Sequence, residues 1–180
     1  AGLMARVAGL ALAPGHGFSK IPVSRLRLLA GRGVEGDAHC GETVKHRSRV
    51  RVDPTQPNLR QVHLLSVELL ADYAAAGFAV APGELGENLL TEGVDLHALP
   101  RGAVLRIGEA ALEITGLRNP CAQIEAFRPG LLAHVLRREG GTLTRRAGVM
   151  AVVARGGEVG IDEAIEPTLP APPFQALDRV

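Results

Sequence analysis

The sequence has little of several things on which whole classes of protein depend. Aromatic residues make up only 3% of its 180 residues and Trp is missing, so a platform for stacking nucleic-acid bases has little material. The formal net charge is +1, which argues against a general binder of nucleic acids or acidic surfaces. The apolar start, residues 1–14, lacks a charged beginning and is too short to span a bilayer. We therefore expect no nucleic-acid partner and no membrane.

Cysteine is scarce as well. Cys40 and Cys121 are the two cysteines, which are too few for a disulfide framework. Proteins without such a framework are typical of reducing compartments. We therefore expect a cytoplasmic protein.

Apolar residues and turn-forming residues are abundant. The composition is 46% hydrophobic, enough for a substantial core, and it includes 22 Gly and 12 Pro. So many turn formers favour many short strands over a helical bundle. We expect a mainly β domain with inserted helices (α+β) and a barrel-like sheet over residues 1–170, followed by an extended C-terminal tail over residues 171–180.

Local patterns predict individual elements. Ser66, followed by apolar residues at helical spacing and then by a glycine, predicts a helix over residues 66–77. Residues 131–138 predict a second helix that ends at a pair of glycines. The glycine-rich residues 156–160 predict a loop with a turn.

One stretch combines the features of a reactive corner. A strand-like alternation over residues 111–115 is followed at once by Gly116, which permits a bend, and by Pro120, which restricts the backbone before Cys121. Arg118 lies three residues before this cysteine, and a short helix is expected to begin after it. A guanidinium and a helix N-terminus both favour the thiolate, the form that attacks and binds metals. The alternative is a small buried core cysteine, and the local sequence leaves both open.

The densest basic run follows a glycine-rich loop. Lys45, Arg47, Arg49 and Arg51 alternate with other residues, so on a strand they would project to one side. Four cations on one face repel each other unless an anion balances them, and a phosphate-bearing ligand would do so. The alternative is a solvated charged face.

Two acidic residues and an amide cluster at a turn before another short strand. Glu84, Glu87 and Asn88 lie within five positions of each other. Carboxylates this close could perform general acid–base chemistry. The alternative, which we favour, is that they bind backbone N–H groups of the turn.

These pieces together resemble the MOSC domain, the family named for the C-terminal part of molybdenum-cofactor sulfurase. The resemblance spans roughly residues 5–168, nearly the whole domain. The matching segments are Gly33–Asp37 with His39, Gly83–Leu89, Arg118–Cys121, Ala147–Met150 and Gly157–Val159.

The resemblance implies a strand-rich barrel, similar to that of pyruvate kinase, which handles molybdenum cofactor. In the family the cysteine is thought to carry a persulfide sulfur or to bind molybdenum, and that role falls on Cys121. The implied activity is that of a molybdenum-cofactor-dependent reductase or a sulfurtransferase. A cysteine desulfurase or a redox protein is the implied partner, and an association with pyridoxal phosphate binding is implied as well.

The parts of molybdopterin can be matched to residues of this sequence. Its phosphate needs cations, which Arg47, Arg49 and Arg51 could supply. Its pterin edge needs polar groups, and Glu87 and Asn88 are the candidates. Its metal end needs a soft thiolate. We expect Cys121 there, held by Arg118 with Asn119 beside it.

Two rival functions remain open. Asp37, His39, Cys40, His46 and His63 contain the side chains that zinc prefers, which would suggest a zinc-binding, hydrolase-like protein, although their spacing matches no known zinc pattern. The second rival is a non-catalytic carrier of cofactor or sulfur. That rival also uses the cysteine of the reactive corner, so the sequence does not separate it from an enzyme.

Overall fold

The computed structural model describes residues 4–41 and 58–180, and strand residues outnumber helical residues there. In chain order the strands are β1 (Arg6–Leu12), β2 (Ile21–Val23), β3 (Arg25–Leu29), β4 (Gly33–Val34), β5 (Val62–Ser66), β6 (Leu89–Glu92), β7 (Val104–Ile107), β8 (Ala110–Leu117), β9 (Leu136–Glu139), β10 (Thr142–Arg145), β11 (Val149–Arg155), β12 (Gly157–Gly160) and β13 (Glu166–Thr168). The helices are α1 (Val67–Ala75), α2 (Ala122–Phe127) and α3 (Leu131–Val135), with a 3-10 turn at Leu96–Ala98. The predicted mainly β fold with inserted helices is confirmed.

One sheet organises the described part of the chain. Eight strands follow the order β13-β7-β8-β11-β5-β6-β1-β2 and curl into a half barrel, as the expected barrel-like sheet requires. β5 and β6 run parallel, because α1 connects them as a crossover, and the other neighbours in this sheet are antiparallel. A smaller sheet, β12-β3-β4, and a two-stranded ribbon, β10-β9, complete the strands described.

Two apolar cores lie on opposite sides of the large sheet. The first fills the curl of the half barrel, where residues such as Leu64, Leu105 and Ile114 are fully buried. The second lies between the outer face of the sheet and the helices, where Tyr73 and Ile124 are fully buried. Burial of these side chains drives the helices onto the sheet.

The predicted first helix is confirmed as α1. Its first turn is capped by Ser66, whose Oγ accepts a hydrogen bond from the backbone N–H of Leu69 at 3.2 Å. Gly77 follows the helix with a φ of +96°, a conformation that glycine adopts without strain. No helix within residues 4–41 and 58–180 is long and apolar enough to cross a membrane.

The predicted helix over residues 131–138 is wrong in its second half. α3 ends at Val135, and the chain then forms the β9–β10 ribbon around Gly140 and Gly141. Both glycines have positive φ, +56° and +83°. That combination is what a two-residue hairpin turn requires, so the glycine pair makes a turn between strands and does not cap a helix.

The predicted glycine loop at residues 156–160 is also wrong. Gly157–Gly160 forms β12, which pairs with β3. A Cβ at Gly157 would lie 3.2 Å from the backbone nitrogen of Ala110. Glycine is used here because two strands approach closely, and a turn is not needed to explain it.

Gly116 lies inside β8, next to an irregularity in the pairing of β8 with β11, so it does not end the strand. The C-terminal segment packs directly against it, so that a Cβ on Gly116 would overlap the carbonyl oxygen of Asp178 and the side chain of Val180. The backbone N–H of Leu117 donates to Asp178 O at 2.7 Å, and the N–H of Val180 donates to Leu117 O at 3.1 Å. The glycine therefore makes room for the tail to bind the end of the strand that leads to Cys121.

Replacing Gly116 with Ala tests this packing. The added methyl group must displace the tail backbone, so we expect a loss of about 1–3 kcal/mol in the free energy of unfolding, measured by urea denaturation. Gly15→Ala is the control, since a Cβ at Gly15 meets no atom within 4 Å. Equal stabilities of the two variants would contradict the proposed reason for glycine at 116.

Candidate functional site

Cys121 lies on the surface, where β8 gives way to α2. It is exposed, so the alternative of a buried core cysteine is wrong. The residue occupies the N-cap position of α2 in an extended conformation, and its Sγ lies 3.7 Å from Oε1 of Gln123. Pro120 just before it is buried and fixes the approach of the backbone. The thiol is therefore presented to solvent from a restrained backbone.

Arg118 lies beneath this surface. Its side chain is buried, and Nη1 donates to the carbonyl oxygen of Leu85 at 2.6 Å. The guanidinium carbon also lies 5.6 Å from the centre of the Phe18 ring. Burial lowers the pKa of Arg118, while attraction to Cys121 acts in the opposite direction. The predicted role of Arg118 in holding the thiol stays a prediction.

The turn before β6 is held by its own side chains. Oε1 of Glu84 accepts from the N–H of Ala81 at 2.7 Å, and Oε2 of Glu87 accepts from the N–H of Gly83 at 2.7 Å. Both carboxylates therefore bind backbone N–H groups, as the favoured alternative predicts. Glu87 is buried, which raises the pKa of its carboxyl group, and its Oε1 has no hydrogen-bond partner among the described residues.

Asn88 connects this turn to two strands. Its Oδ1 accepts from the N–H of His63 at 3.1 Å, and its Nδ2 donates to Ala11 O at 3.2 Å. The side chain is buried, with only 1% of the residue exposed. Its amide is therefore occupied by backbone groups, and it holds β5, β6 and β1 in position.

A buried ion pair closes the other side of the turn. Nζ of Lys20 lies 2.9 Å from both carboxylate oxygens of Asp37, and both side chains are buried. Burial alone would raise the pKa of Asp37, but hydrogen bonding from His39 and the charge of Lys20 outweigh it and hold that pKa well below its usual range. The backbone N–H of Lys20 donates to Gly83 O at 2.8 Å, which attaches the ion pair to the turn.

Of the suggested zinc ligands, Asp37 and His39 lie together, with 3.6 Å between Oδ2 and Nδ1, but the described residues add no third ligand to them. His63 is buried, with Nε2 3.0 Å from Ala147 O, and burial followed by the charge of Arg118 lowers the pKa of His63 well below its usual value. Asp37 is engaged by Lys20, and His46 lies outside the described residues. In the described part of the chain, no group of three or more His, Cys, Asp or Glu side chains could hold a metal ion.

The ribbon β9–β10 contributes a cation that the sequence did not reveal. Nε of Arg145 donates to Oδ1 of Asn119 at 3.2 Å, two residues before Cys121. In the ribbon Arg138 pairs with Leu143 and Arg145 with Leu136, so both arginines project from the same face. The prediction of one helix over residues 131–138 did not place Arg138 and Arg145 on one face of a ribbon.

The predicted basic strand falls on a segment that the structure does not describe. Lys45, Arg47, Arg49 and Arg51 lie outside the described residues. The residues on either side of that segment are joined to each other, because Nδ2 of Asn58 donates to the carbonyl oxygens of both His39, at 2.8 Å, and Gly41, at 2.9 Å.

Comparison with known families now identifies the relationship. The profile of the MOSC domain matches residues 38–166, well over half of the chain. The chain belongs to the MOSC domain family. That family is associated with molybdenum-cofactor binding or with sulfur transfer.

Solved structures share this fold. The YuaD protein from Bacillus subtilis is 27% identical with a TM-score of 0.77, over 94% of this chain and 98% of the other. A hypothetical protein is 23% identical with a TM-score of 0.66, over 96% and 72% of the two chains, and YiiM from Escherichia coli is 22% identical with a TM-score of 0.59, over 95% and 73%. A comparison with curated protein sequences gives no match.

The MOSC domain thus brings Arg118, Asn119 and Cys121 to one surface corner. Glu87 and Asn88 lie below the surface as parts of the turn that receives Arg118 at Leu85. The residues that sequence reasoning missed are Phe18 and Arg145. Neither carries a motif of its own, and both reach the corner only through tertiary contacts.

Replacing Asp37 with Asn tests the ion pair beside the turn. The change leaves the Lys20 ammonium buried without its counter-charge, so we expect a loss of about 3–5 kcal/mol in the free energy of unfolding at neutral pH. Because the folded-state pKa of Asp37 is depressed, this stabilisation is present above the ordinary carboxyl pKa of about 3.9 and is lost as the pH falls through the folded value. Urea denaturation of wild type and variant at neutral and acidic pH measures both effects.

The control for this experiment is Glu158→Gln. Glu158 pairs with Arg25 at 2.7 Å, but both side chains are about half exposed, and solvent screens such a pair so that it adds little to stability. If Asp37→Asn costs no more than Glu158→Gln at neutral pH, the buried pair does not hold this side of the turn.

Proposed function

We propose that this MOSC domain binds molybdenum cofactor, or carries sulfur for it, through Cys121. The observation that carries the proposal is the exposed cysteine at the start of α2 with a buried guanidinium beneath it. The family association with molybdenum cofactor and sulfur transfer supports it. A soft thiolate is the protein ligand suited to the metal end of this cofactor.

Arg118 has a positioning and electrostatic role in this proposal. The thiolate is the form needed both for metal binding and for nucleophilic attack, and the buried guanidinium is a positive charge that attracts an anion at this position. The guanidinium cannot leave, because Leu85 O accepts from it and Phe18 covers it. The charge is therefore fixed with respect to Cys121.

The remaining parts of the cofactor need other groups. Molybdenum cofactor, when bound, would supply a redox-active metal held by a dithiolene and a phosphate at its far end. Arg145, bonded to Asn119, is a described cation suited to a phosphate, and Arg47, Arg49 and Arg51 stay in the proposal as predicted phosphate ligands.

Glu87 and Asn88 support the site from below. Both side chains are buried, and each binds backbone groups of the turn or of neighbouring strands. We assign Glu87 and Asn88 a supporting role, which is to hold the turn whose Leu85 carbonyl accepts from Arg118. In this proposal the backbone of that turn, and not these two side chains, would contact the pterin edge. The redox partner protein that the family resemblance implies stays part of this proposal.

Sulfur carriage is the second role that the same thiolate can perform. The Cys121 thiolate attacks the terminal sulfur of a persulfide on a donor such as a cysteine desulfurase. A new S–S bond forms at Cys121, the donor S–S bond breaks, and the donor leaves as a thiolate, so no oxidant is needed. Pyridoxal phosphate is not assigned here, because Lys20, the lysine in the described residues, is held by Asp37.

The test compares the chain with its Cys121→Ser variant after expression in a host that makes molybdenum cofactor. Molybdenum, pterin and cyanide-releasable sulfur are measured on the purified proteins. We expect wild type to retain molybdenum with pterin, or labile sulfur, and the variant to lose it by about tenfold or more, since the ligand or carrier atom is removed.

Cys40→Ser is the control, because it makes the same chemical change at the half-buried second cysteine. It should retain what wild type retains. Molybdenum with pterin would identify a cofactor site, and labile sulfur alone would identify a carrier. Equal contents in wild type and Cys121→Ser would contradict the proposal.

A further inference from the structure

A second feature of the surface adjoins the Cys121 corner, because Arg146, which lines it, directly follows Arg145. It is a cleft of about 310 Å³ between the first turns of α1 and the segment that runs from β6 to the 3-10 turn. Neither Cys121 nor Arg118, Asn119 or Arg145 lines it. Its volume lies at the lower end of the range of about 300–1,000 Å³ that is typical of small-molecule sites.

The cleft contains a positive charge for which the described residues provide no ion-pair partner. Arg146 lines it, and the described residues place no carboxylate within ion-pair distance of its guanidinium. The backbone carbonyl of Arg146 accepts from the hydroxyl of Tyr73, so the residue is fixed where it enters the cleft. A guanidinium without an ion-pair partner among the described residues is suited to bind a carboxylate.

His97 adds a neutral hydrogen-bond donor beside it. Its Nε2 accepts from the backbone N–H of Gly148 at 3.2 Å, so the ring proton is on Nδ1. Burial, followed by the charge of Arg146, lowers the pKa of His97 to about 4. At neutral pH the imidazole is therefore uncharged, and Nδ1–H remains a donor.

The negative charges that line the cleft are the carboxylates of Glu68, Asp72 and Asp95. Two of them are engaged, since Oε1 of Glu68 accepts from the N–H of Gly93 at 2.9 Å and Oδ2 of Asp72 lies 3.0 Å from Nε2 of His134. Asp95 is different, because it makes no capping hydrogen bond to the 3-10 turn that it precedes.

Asp95 and Arg146 are opposite charges that line the same cleft, and the described residues show no ion pair for either. Both act electrostatically on His97 and both line the cleft, yet no ion pair joins them in the described residues. An anion alone would meet three carboxylates, and a cation alone would meet the guanidinium. A ligand that carries both charges satisfies each of them.

We propose that this cleft binds a free α-amino acid. Arg146 and Nδ1–H of His97 hold its carboxylate, and Asp95 holds its ammonium group. Leu69 and Val94 are the apolar part of the lining, which suits an aliphatic side chain. The site is independent of the proposed function of Cys121.

The experiment uses L-leucine as the probe and isothermal titration calorimetry as the measurement. Leucinamide lacks the carboxylate charge and N-acetyl-L-leucine lacks the ammonium charge. We expect L-leucine to bind saturably and each analogue to bind at least about tenfold more weakly, since each leaves one charge of the site unpaired. These comparisons use the unaltered chain, so they do not depend on any variant folding.

Two variants test which charged side chain of the cleft binds which charged group of the amino acid. In Arg146→Gln the difference between L-leucine and leucinamide should disappear, and in Asp95→Asn the difference between L-leucine and N-acetyl-L-leucine should disappear. Arg106→Gln is the control, because Arg106 is an exposed arginine on β7 outside the cleft, and it should bind as wild type does. Circular dichroism checks that each variant is folded.

The proposal is overturned by any of three results. L-leucine fails to bind the wild-type chain, or leucinamide binds as tightly as L-leucine, or Arg146→Gln binds L-leucine as wild type does. A stabilising coupling between Asp95 and Arg146 in a double-mutant cycle would also overturn it, because the two charges would then pair with each other in solution.

Discussion

The Cys121 corner depends on keeping a guanidinium charged inside the protein. Burying a charge costs free energy unless hydrogen bonds and opposite charges compensate it. For Arg118 the compensation comes from the carbonyl of Leu85, from the ring of Phe18, and from attraction to Cys121, Tyr73 and Glu87. The same contacts that keep this charge buried therefore fix the turn before β6 and the start of α2 with respect to each other.

Around this charge, side chains supply the backbone hydrogen bonds that neighbouring strands supply elsewhere in the fold. The turn at residues 82–88 and the loop before β2 are irregular, so their backbone groups need partners from outside a sheet. Asn88 and Glu87 supply them within the turn, and Lys20 with Asp37 attaches the loop to it. Removing one partner of such a buried set leaves the other unsatisfied, which is why the polar groups below the surface matter as much as the cysteine above it.

The sequence predicts features that local chemistry determines. Ser66 caps α1 as expected, and the combination of Pro120 with Cys121 does mark an exposed corner. Features that depend on distant contacts were not predictable. Gly116 suggests a bend when read locally, whereas its missing side chain admits the tail. The contact of Arg145 with Asn119 depends on a glycine pair acting as a hairpin turn, and the same pair is equally typical of a helix end.

The central claim is that cofactor or sulfur is held at Cys121 itself. The most direct measurement is iodoacetamide labelling, quantified by peptide mass spectrometry, of protein from a cofactor-competent host and from a host that lacks both cofactor synthesis and sulfur donors. The account predicts slow labelling of Cys121 in the first preparation and fast labelling in the second, with Cys40 labelled equally in both. Equal labelling of Cys121 in both preparations, while the first carries molybdenum or labile sulfur, would contradict it.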